Sequence, residues 1–241
     1  MAARVVDSLQ PASGLRWLDV GCGTGALSEA VVTQAEPLSL LGVDPSDAYV
    51  SAATARVDDP RATFVVGDAT TLPVPDASID EVASGLVLNF VPETGKALSE
   101  MRRVLVPGGR ATAYVWDYAD RMEMLRIFWD AAIAEDSSAG SLDEGARFPL
   151  CREGELSICL SDAGMSSIKA GHIDIDTTFR SFDDYWQPYL GGQGPSPSYL
   201  TSLTHDARER LRDRLRFALP HAADGSIRLV ARAWVCQGYL P

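Results

Sequence analysis

Short apolar runs alternate with stretches of helical spacing through the first half of this chain, and this alternation constrains the fold more than any other feature. Strands that alternate with helices form parallel βαβ units, with the helices covering the sheet. The carboxyl ends of such strands lie along one edge, where ligands bind in open α/β sheets. The predicted strands are RWLDV, LSLLGVD, ATFVVGD, IDEVASGL and RATAYVWDY, and the predicted helices are Ala26 to Ala35, about Ser46 to Arg56, and Glu93 to Val106.

The second half of the chain has a different pattern. It begins with predicted helices at Arg121 to Ala134 and near Glu153 to Ala163. Two predicted strands, SIKAGHIDIDTTF and SIRLVARAWVCQGYL, are separated by a long segment. That segment holds the aromatic run FDDYWQPYL, the loop GGQGPSPS and one amphipathic helix from about Tyr199 to Leu219. Connections of this length often act as lids, and a helical pair that only covers the sheet is the alternative.

Composition narrows the class of ligand and the compartment. The 241 residues carry a net charge of −12, which disfavours nucleic acid and anionic membranes as partners. We find no apolar stretch long enough to span a bilayer and no signal peptide. The four cysteines and three histidines are scattered, so the sequence predicts no disulfide framework and no metal site. We therefore expect a reduced, cytoplasmic protein, whereas its oligomeric state stays unknown.

Three alternating glycines, Gly21, Gly23 and Gly25, lie where the first strand becomes a helix. Glycine permits a tight turn there and a close approach of the backbone to a ligand. The segment also satisfies a loose dinucleotide-binding pattern, so the glycines alone are a weak signal. Asp44 follows the second strand, and a carboxylate there can accept both ribose hydroxyls of any adenosine cofactor.

Asp19, two residues before the first glycine, separates the two cofactor classes. A carboxylate beside a pyrophosphate suffers like-charge repulsion, whereas a ligand with an ammonium group is attracted. S-adenosylmethionine carries an ammonium, a sulfonium and a ribose, and no phosphate. A structural role, bonding to amides of the turn, is the alternative for Asp19. Asp68, after the third strand, can accept from an adenine amino group while the amide of Ala69 meets a ring nitrogen; a turn residue is the alternative.

Four segments together resemble the class I S-adenosylmethionine-dependent methyltransferases, in the small-molecule group that includes the ubiquinone and menaquinone biosynthesis type. They cover roughly residues 16–118, and they are LDVGCGTG, LGVDPSDAYVSAA, VVGDATTLPVPDASIDEVASGLVLNFV and EMRRVLVPGGRATAYVWDY. The resemblance implies an α/β Rossmann-like three-layer sandwich. Its seven-stranded, mostly parallel sheet would have the order 3-2-1-4-5-7-6, with the last strand antiparallel and a helical excursion before it. We expect a single domain, 1–241, with a cofactor-binding half, 14–118, and a substrate-side half, 119–241.

The resemblance also implies the cofactor, S-adenosyl-L-methionine, its product, S-adenosyl-L-homocysteine, and the residues that hold it. The family usually has helices ahead of the first strand, whereas here that strand begins near Arg16, so either the pocket is more open or residues precede Met1. The expected cofactor-binding residues are Asp19, Gly21, Cys22, Gly23 and Gly25 at the first turn, Asp44, Pro45 and Ser46 at the second, Asp68 and Ala69 at the third, and Gly85 and Leu86 after the fourth strand.

The methyl acceptor is predicted only as a small molecule. Transfer from a sulfonium is an in-line displacement that depends on placement of the nucleophile, and no histidine is a strong candidate for a general base. Asn89 and Tyr118, at strand ends, are candidates for positioning the substrate, with capping and packing as alternatives. Trp116, Phe148, Tyr185, Trp186 and Tyr189 could form an aromatic enclosure, or a core. A nicotinamide-dependent oxidoreductase and a non-catalytic S-adenosylmethionine-binding protein remain the alternative functions.

Overall fold

The fold was obtained as a computed structural model that describes residues 1–192 and 194–241. Its seven strands form one sheet of order β3-β2-β1-β4-β5-β7-β6, mostly parallel, with β7 antiparallel, and this confirms the predicted fold class. The strands are β1 (Arg16–Val20), β2 (Ser39–Asp44), β3 (Ala62–Val66), β4 (Ile79–Gly85), β5 (Leu105–Trp116), β6 (Ser166–Phe179) and β7 (Ile227–Tyr239).

Strand β1 lies between β2 and β4 and is buried almost throughout. Its run of apolar residues is typical of a strand covered on both faces, as parallel strands are. Asp19 interrupts that run, and it pairs in register with Gly42 of β2 and Ala83 of β4. The central position of β1 therefore places its carboxyl end in the middle of the ligand-binding edge.

The helices between β1 and β5 agree with the pattern of the sequence, whereas helices before β1 and after β6 depart from it. They are α1 (Ala2–Leu9), α2 (Ala26–Gln34), α3 (Asp47–Arg56), α4 (Thr94–Val104), α5 (Glu123–Glu135), α6 (Glu144–Arg147), α7 (Glu155–Asp162), α8 (Phe182–Gly191), α9 (Pro195–Ser202) and α10 (His205–Ala218). The predicted loop that includes Gln193 lies partly outside the described residues.

The single helix predicted over Tyr199 to Leu219 is wrong, because the chain there forms α9 and α10. Thr204 begins α10 as its N-cap, and its side chain accepts a hydrogen bond from the amide of Ala207 at 3.4 Å. A threonine oxygen that satisfies a free amide favours a new helix start over the continuation of the old helix. The aromatic run before Gln193 is also helical, as α8, although it contains Pro188.

Helix α1 was not predicted. It buries Val5, Val6 and Leu9, and it contacts α2. The guanidinium of Arg110 donates to the carbonyl oxygen of Leu9 at 3.0 Å, which fixes the end of the helix. The residues before β1 therefore form a packed element of the fold.

The described residues divide into two compact units, and the prediction of a single domain stays a prediction. The first unit contains 1–115, 153–173 and 233–241; the second contains 116–152 and 174–232. Among the described residues, no helix is both long enough and apolar enough to pass through a bilayer.

Aromatic side chains build the core of the second unit. Phe128 and Trp129 of α5 are fully buried, and the Phe128 ring stacks on Tyr189 with centroids 4.6 Å apart. The hydroxyls of Tyr185 and Tyr189 both donate to the carbonyl oxygen of Met124 at 3.0 Å. Buried hydroxyls with partners carry little penalty, so these tyrosines serve as core residues. Of the aromatic enclosure considered from the sequence, Tyr185, Trp186 and Tyr189 belong to this core.

Candidate functional site

The turn after β1 is shaped by backbone angles that favour glycine. Gly21, Gly23 and Gly25 all have positive φ, at 74°, 52° and 83°. The amides of Gly21 and Cys22 donate to the carbonyl oxygen of Val43 in β2, at 2.8 and 3.1 Å. Space is equally restrictive at the first glycine, because a Cβ there would overlap the side chain of Val87. The backbone can therefore reach the edge of the sheet only without side chains at these positions.

The second glycine of the turn faces open space. A Cβ built on Gly23 would have no heavy atom within 4 Å. The glycine is thus required by its φ and not by packing against protein atoms. Such a position lets a ligand come against the main chain.

Asp19 is a buried carboxyl with one oxygen satisfied. It is 2% exposed, and its Oδ2 accepts from the hydroxyl of Ser28 at 2.7 Å. Among the described residues its Oδ1 has no hydrogen-bond partner. Burial raises the pKa of Asp19 to about 7, the Ser28 hydrogen bond opposes this, and the charge of Asp44 adds a little to the rise. A buried acceptor without a partner needs either a proton or a donor from a ligand.

Asp44 connects two turns of the edge. Its Oδ2 accepts from the amide of Gly23 at 3.0 Å, and its Oδ1 accepts from the amide of Ser46 at 2.9 Å. Ser46 in turn caps α3, since its hydroxyl accepts from the amide of Tyr49 at 3.4 Å. One carboxylate therefore holds the glycine turn against the start of α3, and each oxygen keeps a lone pair for a further donor.

Asp68 closes the turn after β3. Its Oδ1 accepts from the amide and the hydroxyl of Thr70, at 2.7 and 2.6 Å, and these bonds lower the pKa of Asp68. Asp68 therefore acts as a turn residue, which was the alternative considered from the sequence. Asp68 is exposed, and its Oδ2 remains for a ligand donor, with Ala69 half-buried beside it.

These turns border a cavity of about 530 Å³ within the first unit. Its lining consists of Gly21, Val43, Asp44, Pro45, Ser46, Tyr49, Asp68, Ala69, Thr70, Val87, Phe90, Val91, Pro92 and Glu93. Six of the predicted cofactor residues thus share one cavity. The sequence reasoning missed Val43, Tyr49, Thr70 and the segment 91–93. Only the segment 91–93 had a signal, the apolar run directly after the fourth strand.

Cys22 does not line the cavity. It is buried, with its sulfur 3.8 Å from the carbonyl oxygen of Gly23. Burial raises the pKa of the Cys22 thiol to about 12, and the charges of Asp19 and Asp44 contribute to the rise. A neutral, buried thiol is a packing residue, so any contact of Cys22 with a cofactor would come from its main chain.

Strain marks the end of β4. Leu86 has φ of 62°, a left-handed conformation that costs a side chain such as leucine about 1–2 kcal/mol. Its amide donates to the carbonyl oxygen of Tyr114 at 2.8 Å. The preceding Gly85 leaves room for the Tyr114 ring, because a Cβ there would overlap it. The predicted pair Gly85 and Leu86 therefore forms a strained turn next to β5.

The two candidates for substrate positioning lie in different units. Asn89 belongs to a short 3-10 helix in the first unit, and its amide Nδ2 is buried with no partner among the described residues. Tyr118 belongs to the second unit, where its ring packs on Phe148 with centroids 5.9 Å apart. Burial raises the pKa of Tyr118, so its hydroxyl stays protonated at neutral pH. Their roles toward a substrate stay predictions.

The chemistry of the cavity fits S-adenosylmethionine. Asp19 and Gly23 lie outside the cavity lining: Asp19 offers a buried oxygen without a partner among the described residues, suited to an ammonium group, and Gly23 leaves its main chain open to a ligand. Asp44 and Asp68 supply further acceptors for hydroxyl and amino groups. Across the described residues, no group of three or more histidines, cysteines and acids is placed to hold a metal ion.

The sequence of this chain is similar to those of known methyltransferases. Residues 18–113 match the family described as "Methyltransferase domain". The demethylmenaquinone methyltransferase of Renibacterium salmoninarum is 39% identical over 109 residues, which is 44% of this chain and 43% of that protein. An uncharacterized 37.1 kDa protein in transposon TN4556 of Streptomyces fradiae is 37% identical over 108 residues, 44% of this chain and 31% of that protein. The chain thus spans less than half the length of these two relatives.

Solved structures share the fold at low sequence identity. The YcgJ protein of Bacillus subtilis superposes with a TM-score of 0.61 at 18% identity, over 99% of this chain and 97% of that one. Phosphoethanolamine N-methyltransferase 2 of Haemonchus contortus, solved with S-adenosyl-L-methionine, superposes with a TM-score of 0.62 at 18% identity, over 100% of this chain and 52% of that one.

The sheet order, the glycine turn and the three acids define the class I S-adenosylmethionine-dependent methyltransferases. Residues 18–113 match a methyltransferase domain, and that match covers the strands and turns that build the cavity. The predicted class and the predicted cofactor, S-adenosylmethionine, are both confirmed.

Proposed function

We propose that this chain transfers the methyl group of S-adenosylmethionine to a small-molecule acceptor by in-line displacement. The observation that carries the proposal is the cavity at the carboxyl ends of β1, β2 and β3, together with the Oδ1 of Asp19, a buried acceptor without a partner among the described residues, two residues before the lining residue Gly21. A pyrophosphate cofactor would meet three carboxylates there, which disfavours the nicotinamide alternative. When bound, S-adenosylmethionine supplies a methyl group already activated by a sulfonium.

The first turns bind and orient the cofactor in this proposal. Asp19 accepts from the ammonium group, and the turn from Gly21 to Gly25 lies along the methionine portion. Asp44 accepts from the ribose hydroxyls while it keeps the amides of Gly23 and Ser46 in place. Asp68 and the amide of Ala69 meet the adenine. These bonds use acceptors that the fold already holds in position, so little ordering entropy opposes binding.

Two residues, one in each unit, are separate candidates for orienting the acceptor. Asn89 has a buried amide donor without a partner among the described residues, which suits a carbonyl or hydroxyl oxygen of a substrate. Tyr118 provides a protonated hydroxyl and an aromatic face. With an activated donor, the work of these residues is orientation, and a general base is needed only if the acceptor must lose a proton.

The net charge of −12 supports a small-molecule acceptor over a nucleic acid. The four free cysteines agree with a reducing compartment, and we place the protein in the cytoplasm. Two relatives have small-molecule names: a demethylmenaquinone methyltransferase, and a phosphoethanolamine N-methyltransferase solved with phosphomonomethylethanolamine. These names favour a small metabolite without choosing the atom that is methylated.

Calorimetric titration tests the cofactor part of the proposal. S-adenosylhomocysteine should bind the intact chain, and Asp44→Asn should weaken it at least tenfold, because hydrogen bonds to a charged group contribute about 1.5–3 kcal/mol. Asp58→Asn is the matched control, since Asp58 is exposed and outside the cavity. Tight binding of NADH with no response to S-adenosylhomocysteine would refute the proposal.

A transfer assay tests the reaction itself. The chain is incubated with S-adenosylmethionine that is radiolabelled at the methyl group and with fractionated small-molecule pools. We expect label in a small molecule with the wild type and the Asp58→Asn control, and little with Asp44→Asn. Cofactor binding without transfer to any pool would favour the non-catalytic alternative. That outcome is worth testing because the [4+2]-cyclase SpnF shares the fold, with a TM-score of 0.58 at 20% identity, and a fold does not fix a reaction.

A further inference from the structure

Tyr114 of β5 lies on the same face of the sheet as Asp19 of β1. Asp19 pairs in register with Ala83 of β4, and Ala83 pairs with Thr112 of β5. Partners in register share a face, and alternate residues of one strand do so too. Tyr114 is two residues beyond Thr112, so its side chain emerges on the face that carries the Asp19 carboxyl.

The Tyr114 ring extends across β4 toward β1. Its ring and hydroxyl occupy the space where a Cβ of Gly85 would stand, and Gly85 is its partner in register. The main chain is fixed as well, since the Tyr114 carbonyl oxygen accepts from the amide of Leu86 at 2.8 Å. The ring therefore lies over Gly85, with its hydroxyl at the carboxyl end of β4.

The hydroxyl of Tyr114 is a donor held near a negative charge. Tyr114 is 3% exposed, and its hydroxyl lies beside Gly85 at the end of β4. Burial raises the pKa of Tyr114, and the charge of Asp19 raises it further. The hydroxyl is therefore protonated at any physiological pH, and it is within electrostatic reach of the Asp19 carboxylate.

A buried acceptor and a buried donor on one face are complementary to an amino acid. Asp19 attracts an ammonium group and repels a carboxylate, so a zwitterion with its ammonium on Asp19 needs a donor for its carboxylate close by. A neutral hydroxyl supplies that donor without a second charge. Tyr114 places its hydroxyl on this face beside Gly85, two residues beyond Thr112, whose own hydroxyl lies nearer the Ala83 end of β4.

We propose that the Tyr114 hydroxyl donates to the α-carboxylate of the methyl donor, so that Asp19 and Tyr114 together recognise its amino-acid end. This inference rests on the proposed function, because it assigns a binding residue for the same cofactor. Under this proposal, Asp44 and Asp68 bind the adenosine part of the cofactor. Asp19 and Tyr114 bind its amino-acid end and select a ligand that carries both an ammonium and a carboxylate.

Two ligands that differ only at the carboxylate test the assignment. S-adenosylmethionine and its decarboxylated form share the adenosine, the sulfonium and the ammonium. Calorimetry without an acceptor should show Tyr114→Phe binding S-adenosylmethionine about tenfold more weakly than the wild type does, since a hydrogen bond to a charged group is lost. The same variant should bind the decarboxylated ligand as well as the wild type does.

Tyr49→Phe is the matched control, because Tyr49 lines the cavity from the side of α3. Any loss that it causes should be equal for the two ligands. Phenylalanine at position 114 keeps the ring that packs at Gly85, and the melting temperature checks that the variant folds. The wild type gives a second measurement that needs no variant, a preference of about tenfold for S-adenosylmethionine over its decarboxylated form.

Equal losses for both ligands in Tyr114→Phe, or no loss for either, would overturn the assignment. Equal affinity of the wild type for the two ligands would also overturn it. If the wild type binds neither ligand, the proposed function fails, and that result is distinct from binding of both ligands without discrimination.

Discussion

Asp19→Asn should stabilise the cofactor-free protein, and the gain should grow with pH. Asn is the neutral isostere of protonated Asp19, and it keeps an oxygen for the Ser28 hydroxyl that Asp19 Oδ2 accepts at 2.7 Å. The wild-type carboxyl is buried, and burial raises its pKa from 3.8 to about 7. Ionisation of Asp19 therefore lowers the free energy of unfolding of the wild type, and the variant has no such loss.

The size of the effect follows from that pKa. Between pH 3.8 and about 7 the native state holds a proton that the unfolded state has released, so wild-type stability falls as pH rises through this window and levels off above it. At 1.36 kcal/mol per pKa unit, the free energy of unfolding of the variant should exceed that of the wild type by about 1.7 kcal/mol at pH 5 and by about 4 kcal/mol at pH 8.

Urea denaturation of both proteins at pH 5, 6, 7 and 8, without cofactor, measures this difference. Other carboxyls titrate alike in the two proteins and cancel in the comparison. In thermal scans at pH 8, the melting temperature of the variant should be higher by about 8 °C or more for a chain of this length. A difference that does not change with pH, or a variant less stable than the wild type at pH 8, would refute the assignment of the raised pKa to Asp19.

Three further outcomes follow from the same contacts. The affinity for S-adenosylhomocysteine should rise with pH up to about 7, because the ammonium group of the ligand binds ionised Asp19. The rise should be no more than about tenfold per pH unit, since one proton is released on binding. Calorimetric titration in two buffers of different ionisation enthalpy measures the number of protons released. Gly21→Ala should destabilise the fold by overlap with Val87, and adding Val87→Ala should recover part of the melting temperature, leaving about 1–2 kcal/mol for the positive φ. Arg110→Met should cost about 3–5 kcal/mol in denaturant titration by leaving buried Glu81 without its 2.8 Å partner, and Glu81→Leu in the same chain should restore most of it.

The sheet and its edge were predictable because they depend on local signals. The apolar run of β1 and the positive φ that only glycine tolerates well are written in neighbouring residues, and the acids Asp19, Asp44 and Asp68 follow strands in a fixed order. The family resemblance then supplied the strand order that no local pattern contains. The cavity brings Asp44 and Asp68 together as that order requires.

What the sequence did not predict depends on partners distant along the chain. Helix α1 is short and rich in alanine, and its end is fixed by Arg110, about a hundred residues away. The break before α10 depends on one capping bond of Thr204, within a continuous apolar pattern. Tyr114 is one aromatic residue in an apolar strand, and only the register with Gly85 shows where its hydroxyl lies.

The cavity residues all come from one continuous stretch of chain, Gly21 to Glu93. The match to the methyltransferase domain, residues 18–113, contains this stretch. The lining of the cavity is therefore local in sequence, whereas the contact proposed for Tyr114 reaches the methyl donor from β5, beyond that stretch.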